Sequence, residues 1–235
     1  MVQSVLIIIG SIFVLFLGVA LIYYFPMFFM SRPASGQIPN TNIYAVKDMG
    51  GVYLINTGSG YLMIDAGLNI KNIERSLKES NINKNDVKWI FLTHSDGDHV
   101  AGLNLFPNAH IYMSKEELLL INGTVKRSVL GYNKLPKGIN INEILTLTNG
   151  QELLLDETKI KCISTPGHTI GLMMYLIDDR YLFTGDAFKM KNGNITVHPY
   201  SMDVNISKGT IEKLSDTINN IPVVLTSHYG IRYNN

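Results

Sequence analysis

The chain has 235 residues, 20 of them basic and 19 acidic, for a net charge of +1. That balance lacks the basic excess a nucleic-acid surface needs, so no nucleic-acid partner is expected. Its single cysteine, Cys162, excludes an intrachain disulfide.

Residues 1–31 carry no charged side chain, and 5–30 are almost wholly apolar. A membrane span takes ~20 such residues. Tyr23, Tyr24, Phe25, Phe28 and Phe29 stand at the C-terminal end of the run, where interfacial aromatics belong. A cleaved signal peptide would have a shorter apolar core and a basic start. The expectation is an uncleaved transmembrane anchor over 1–31, with single-pass membrane localisation and the membrane contacted through residues 5–30. Arg32 is the one side-chain charge beside the run, so the side of the membrane stays open. Residues 32–41 read as a linker, and 42–235 as the catalytic domain.

Asn42 to Val46 alternates as a first strand does. Gly51 to Asn56 and Tyr61 to Asp65 flank a Gly-rich turn, a hairpin pattern. Asp65 closes the second strand, either as a turn former or as a group that holds a ligand loop from behind. Asn69 to Ser80 has helical spacing of Ile70, Ile73 and Leu77. The apolar strand Val87 to Leu92 then runs into Thr93-His-Ser-Asp-Gly-Asp-His99. Four residues of metal-ligating type, His94, Asp96, Asp98 and His99, stand there within six positions. Imidazole with carboxylate suits zinc first, with iron or manganese as competitors.

His110 opens a further strand and reads as structural. Ser114 to Ile121 reads as a helix, with Ser114 and Glu117 as a capping box. The stretch from Asn122 to Asn142 is rich in Gly, Lys and Asn and suggests a flexible flap near the site. Three strands follow: Ile144 to Leu147, Gln151 to Leu155 and Lys159 to Ile163. Then His168 stands at the tip of a Pro-Gly turn, Asp186 just past the strand Tyr181 to Thr184, and His228 just past Val223 to Thr226. His198 lies in a Pro-bearing loop, read as a surface position with pocket contact as the alternative.

These motifs resemble the metallo-β-lactamase superfamily over Asn42 to Tyr233. The family's H-x-H-x-D-H motif corresponds to His94 through His99, followed by Thr-Pro-Gly-His168, Thr-Gly-Asp186 and Ser-His228 in the family's order. Ile64-Asp-Ala-Gly67 looks like its second-strand motif. The resemblance implies an α/β fold, a four-layer αββα sandwich, here preceded by one transmembrane helix. It also implies two divalent metal ions, zinc first. His94, Asp96 and His168 would bind one, Asp98, His99 and His228 the other, with Asp186 bridging. Asp98 would be catalytic, orienting a metal-bridging hydroxide. Asp96 departs from the commonest pattern, where a second His stands, and its direct ligation stays open. A small single-domain lactonase-like branch is the best match. The implied activity is hydrolysis of a small ester, lactone, thioester or β-lactam. The alternatives are a flavodiiron-like redox protein, for which 235 residues leave little room, and a non-catalytic metal-binding module.

Overall fold

The computed structural model describes residues 9, 12–15, 17–18, 30, 32–127 and 133–234. The chain divides into two compact units, Met1–Ser31 and Arg32–Asn235. In the first, the described positions 9, 12–15, 17 and 18 are helical. Among the described residues no helix is long and apolar enough to cross a membrane. The expected transmembrane helix, the single-pass localisation and the membrane as partner are therefore corrected. Of the 5–30 stretch, residues 5–8, 10, 11, 16 and 19–29 lie outside the described residues.

The second unit is built on two sheets. The first holds β1 (Gly36–Gln37), β2 (Ile43–Val46), β3 (Val52–Asn56), β4 (Tyr61–Ile64), β5 (Val87–Phe91), β6 (His110–Ser114) and β7 (Leu145–Leu147), in that spatial order. It is antiparallel from β1 to β4 and parallel from β4 to β7. Downstream come β8 (Glu152–Leu155), β9 (Thr158–Ser164), β10 (Met173–Ile177), β11 (Tyr181–Phe183), β12 (Lys189–Lys191), β13 (Asn194–Thr196), β14 (Val223–Leu225) and β15 (Ile231–Tyr233). The second sheet runs β15-β14-β11-β10-β9-β8, and β12 with β13 forms a separate hairpin. Among the described residues of this unit, four α-helices accompany them: α1 (Ile70–Glu79), α2 (Gly97–Val100), α3 (Leu118–Ile121) and α4 (Val204–Asn220).

Side-chain alternation along the strands sorts the core into three layers of contact. On β3, Tyr53 and Ile55 face the second sheet, which answers with Tyr175, Ile177, Phe183 and Leu225. Val52 and Leu54 point the other way, onto Ile73 and Leu77 of α1. On β10, Met174 and Leu176 turn outward onto Ile211, Leu214 and Ile218 of α4. Both faces of each sheet are thus covered, which is why these strands read as continuous apolar runs. The order helix, sheet, sheet, helix is the four-layer αββα sandwich.

Local chemistry explains several boundaries. Asn69 caps α1 by accepting from the Asn72 amide at 3.1 Å. The helix expected from Ser114 starts later, because Ser114 still belongs to β6 and α3 spans only Leu118–Ile121. Ser114 Oγ does accept from the Glu117 amide at 3.2 Å, but the Glu117 carboxylate leaves for the site. Within 32–41, read as a linker, β1 pairs with β2 at the sheet edge. Cys162 is fully buried between the sheets, and burial pushes its thiol up to about 12. Iodoacetamide should therefore leave it unmodified in the native protein and label it only after unfolding, as read by mass spectrometry.

Candidate metal centre

Strands β9, β11 and β14 run in one direction, so their C-terminal ends share one edge of the second sheet. The loops leaving those ends carry His168, Asp186 and His228. From the first sheet, β5 delivers His94, Asp96, Asp98 and His99 to the same place. The two loops meet closely at Gly185, which has φ +52°, and a Cβ there would stand 2.5 Å from Thr93 Oγ1. Only glycine admits that approach.

Asp186 sits at the middle. Its Oδ2 lies 3.2 Å from His228 Nε2, 3.6 Å from His168 Nε2 and 3.9 Å from His94 Nε2, and its Oδ1 lies 3.7 Å from His99 Nε2. On one side, Asp96 Oδ2 is 3.2 Å from His168 Nε2 and 3.5 Å from His94 Nε2. On the other, Asp98 Oδ2 is 3.4 Å from His228 Nε2 and 3.7 Å from His99 Nε2. All seven residues singled out in the sequence are thus brought together. His110, in contrast, is exposed and joins no such group among the described residues.

Buried polar atoms ordinarily find partners. Here His94 Nε2, His99 Nε2 and Asp186 Oδ1 are buried without a hydrogen bond. Sets such as His94, Asp96, His168 and Asp98, His99, His228 place their donor atoms within 4.8 Å of one another. Inward-facing imidazole and carboxylate donors with nothing to bond are what a divalent cation requires, so the residues fit one.

A surrounding shell fixes the donors. Asp65, at φ +58°, does what both sequence readings asked: it turns the chain and it orients a ligand loop. It accepts from the Thr93 amide at 2.8 Å, from the Thr93 hydroxyl at 2.8 Å and from His99 Nδ1 at 2.8 Å. The His99 Nδ1 proton is thereby committed outward, leaving the Nε2 lone pair facing in. Since the Thr93 hydroxyl donates to Asp65, its oxygen is free to accept from His94 Nδ1 at 3.0 Å. His94 therefore also presents a lone pair from Nε2.

Glu117, fully buried, spans two ligand loops. It accepts from the Ser95 amide at 2.8 Å, the Ser95 hydroxyl at 2.7 Å and the Thr169 hydroxyl at 2.7 Å. Asp96 is shared: Arg127 Nη1 and Asn133 Nδ2 both donate to its Oδ1. Arg127 Nη2 also donates to the Tyr200 carbonyl at 3.0 Å and lies 3.2 Å from His168 Nε2. Arg127 and Asn133 come from the stretch read as a flap, and 128–132 lie outside the described residues. Two tyrosines cross the sandwich in opposite senses. Tyr53 donates to the Thr226 carbonyl and Tyr175 to the Leu92 carbonyl, each at 2.7 Å, pinning the backbone just before His228 and His94.

His198, read as a surface position, is 1% exposed. Its Nε2 stands 3.7 Å from Asp186 Oδ2, so the alternative of pocket contact is the observed one.

Burial distributes charge unevenly among the rings. It pulls His94 down to about 4, with His99 adding to the effect. Burial likewise holds His168 well below the usual imidazole range. Burial also opposes the charged form of His99, but Asp65, Asp98 and Asp186 outweigh it and raise that ring well above the range. Asp186 outweighs burial at His228 in the same way. For Asp186 itself, burial favours the neutral acid, yet His228, His198 and His99 together hold the carboxyl well below the usual carboxylate range.

Fold and site together define a metal-binding αββα sandwich protein. The chain belongs to the metallo-beta-lactamase superfamily, whose family model matches residues 41–228. It is 28% identical over 161 residues to a probable metallo-hydrolase of Methanocaldococcus jannaschii, covering 68% of this chain and 66% of that protein. It is 30% identical over 129 residues to the probable polyketide biosynthesis zinc-dependent hydrolase PksB of Bacillus subtilis, covering 54% of this chain and 48% of PksB. Among solved structures, a metallo-beta-lactamase superfamily protein of Sulfolobus tokodaii superposes with a TM-score of 0.60 at 21% identity, covering 83% of this chain and 82% of that one. The chain spans between about half and just under two thirds of the length of these two curated relatives.

Proposed function

We propose that this chain is a metal-dependent hydrolase acting on a small ester, lactone, thioester or β-lactam. The observation that carries the reading is the convergence of ring nitrogens on Asp186, with His94 Nε2 and His99 Nε2 among them buried and without a hydrogen-bond partner. His94 and His168, with Asp96 beside them, would hold one divalent ion. Asp98, His99 and His228 would hold the other, with Asp186 between. Zinc suits this donor set best, and the carboxylates keep iron and manganese competitive. Bound there, such ions lower the pKa of water toward ~7 and polarise a carbonyl oxygen. The relatives named as metallo-hydrolases support the same class.

The residues divide the remaining work. Asp98 has a side chain 24% exposed, the most open of the carboxylates around the centre, against 18% for Asp96 and 5% for Asp186. It reaches both the site and solvent, so it is placed to orient water and to carry a proton to a leaving group. A screen of lactone, thioester, β-lactam and phosphodiester substrates on the zinc-loaded protein tests the reading. Turnover of an acyl substrate, abolished by chelation, is expected. No turnover of any substrate in the screen, with metal fully bound, counts against it.

The hydrogen bond from His99 to Asp65 makes a separate prediction. Asp65→Asn keeps a residue that tolerates positive φ but removes the charge that faces His99. Metal affinity should fall by ~10–100-fold, the usual cost of losing such an outer partner. Competition with a chromophoric chelator measures it, and unchanged affinity would show that Asp65 acts only as a turn.

A further inference from the structure

The histidines around Asp186 do not all present the same face. His94 and His99 have acceptors behind their Nδ1 atoms, Thr93 Oγ1 at 3.0 Å and Asp65 Oδ2 at 2.8 Å. In the neutral rings, the form that binds a metal, their inward Nε2 atoms are lone pairs. At His198 the outer partner is a donor: the Tyr200 backbone N–H points at His198 Nδ1, at 3.4 Å. An Nδ1 that accepts leaves the proton of the neutral ring on Nε2. That Nε2–H is buried, has no hydrogen-bond partner and faces the site. Its neighbours there are Asp186 Oδ2 at 3.7 Å, and the rings of His168 and His228 with centroids at 4.7 and 5.9 Å. The ring is further held by Tyr200 and Tyr229, whose centroids each lie 5.7 Å away.

The geometry points to His198 as a catalytic residue that donates from Nε2–H to the oxygen gaining negative charge when an acyl substrate is attacked. The inference rests on the hydrolase reading and adds a residue that the ligand motifs do not contain. A preset donor in a site shielded from water stabilises the developing oxyanion without reorganising at the moment of reaction.

The test uses the full zinc-loaded chain and 4-nitrophenyl acetate, whose leaving group needs no proton, so that oxyanion stabilisation is isolated. His198→Ala should lower kcat by ~10²–10³-fold, the usual cost of one oxyanion donor, with a smaller change in KM. His198→Gln, which retains an N–H donor, should recover part of the loss. Zinc content should equal that of the wild type in both. Independently of turnover, long-range proton–nitrogen NMR of the zinc-loaded wild type should show the Nε2–H tautomer for His198 and the Nδ1–H tautomer for His94 and His99. An Nδ1–H tautomer at His198, or loss of zinc in His198→Gln, would overturn the inference and make His198 a ligand. Wild-type kcat in His198→Ala would overturn it as well. A wild-type chain that binds no zinc would sink the hydrolase reading itself, a result distinct from these.

Discussion

Asp98→Ala should lower hydrolysis by about 10³-fold, within the ~10²–10⁴ range that a positioned proton-transfer group contributes. Its Oδ2 lies 3.4 Å from His228 Nε2 and 3.7 Å from His99 Nε2, so the carboxylate closes one side of the cluster. Asp98 is also the carboxylate most open to incoming water and substrate. Truncation removes both a donor and a proton carrier. Asp96→Asn should cost much less. Its amide oxygen still accepts from Arg127 and Asn133 in place of Oδ1, so the loss is confined to the Oδ2 that faces His94 and His168 and should be read in metal content more than in proton transfer. Side-by-side kcat and metal content decide it. Equal losses in the two variants would show that the carboxylates are interchangeable parts of one electrostatic cage.

The second large effect is on stability. Glu117→Ala should destabilise the protein by ~3–5 kcal/mol. Three donors that are buried beside it, the Ser95 amide and the Ser95 and Thr169 hydroxyls, lose their acceptor at ~1–3 kcal/mol each, offset in part by rotation of the hydroxyls. For a domain of this size that is a fall in Tm of about 10 °C. Glu117→Gln keeps one acceptor oxygen and should fall between. The consequence extends to the site. Glu117 is the strut between the loop of His94 and the loop of His168, so its loss should also loosen the metal held between them. Thermal unfolding followed by circular dichroism, with and without zinc, reads both effects. A shift under 3 °C would mean that these hydrogen bonds contribute little to stability.

The positions of the cluster were legible because each of its residues follows an apolar strand: His94 after Val87 to Leu92, Asp186 after Tyr181 to Thr184, His228 after Val223 to Thr226. Strand period and strand end are local signals. The residues that hold the cluster were harder to see. Glu117 stands three positions after Ser114 and so imitates a helix cap, whereas its partners are 22 and 52 positions away in sequence. Tyr53 and Tyr175 look like core residues, and only the sandwich turns their hydroxyls into pins across it. Arg127 and Asn133 come from a polar, Gly- and Lys-rich stretch with no periodicity. His198 carries no local mark that separates a buried ring from a surface one. The apolar N-terminal run satisfied the composition rule for a span, yet no described helix satisfies the length.

Elemental analysis of the purified full chain after zinc loading and desalting tests the central claim most directly. Retention of two zinc ions per chain, falling when Asp186 or His228 is replaced by alanine, is the predicted result. A natively folded chain that retains no zinc with all of these side chains intact would contradict it.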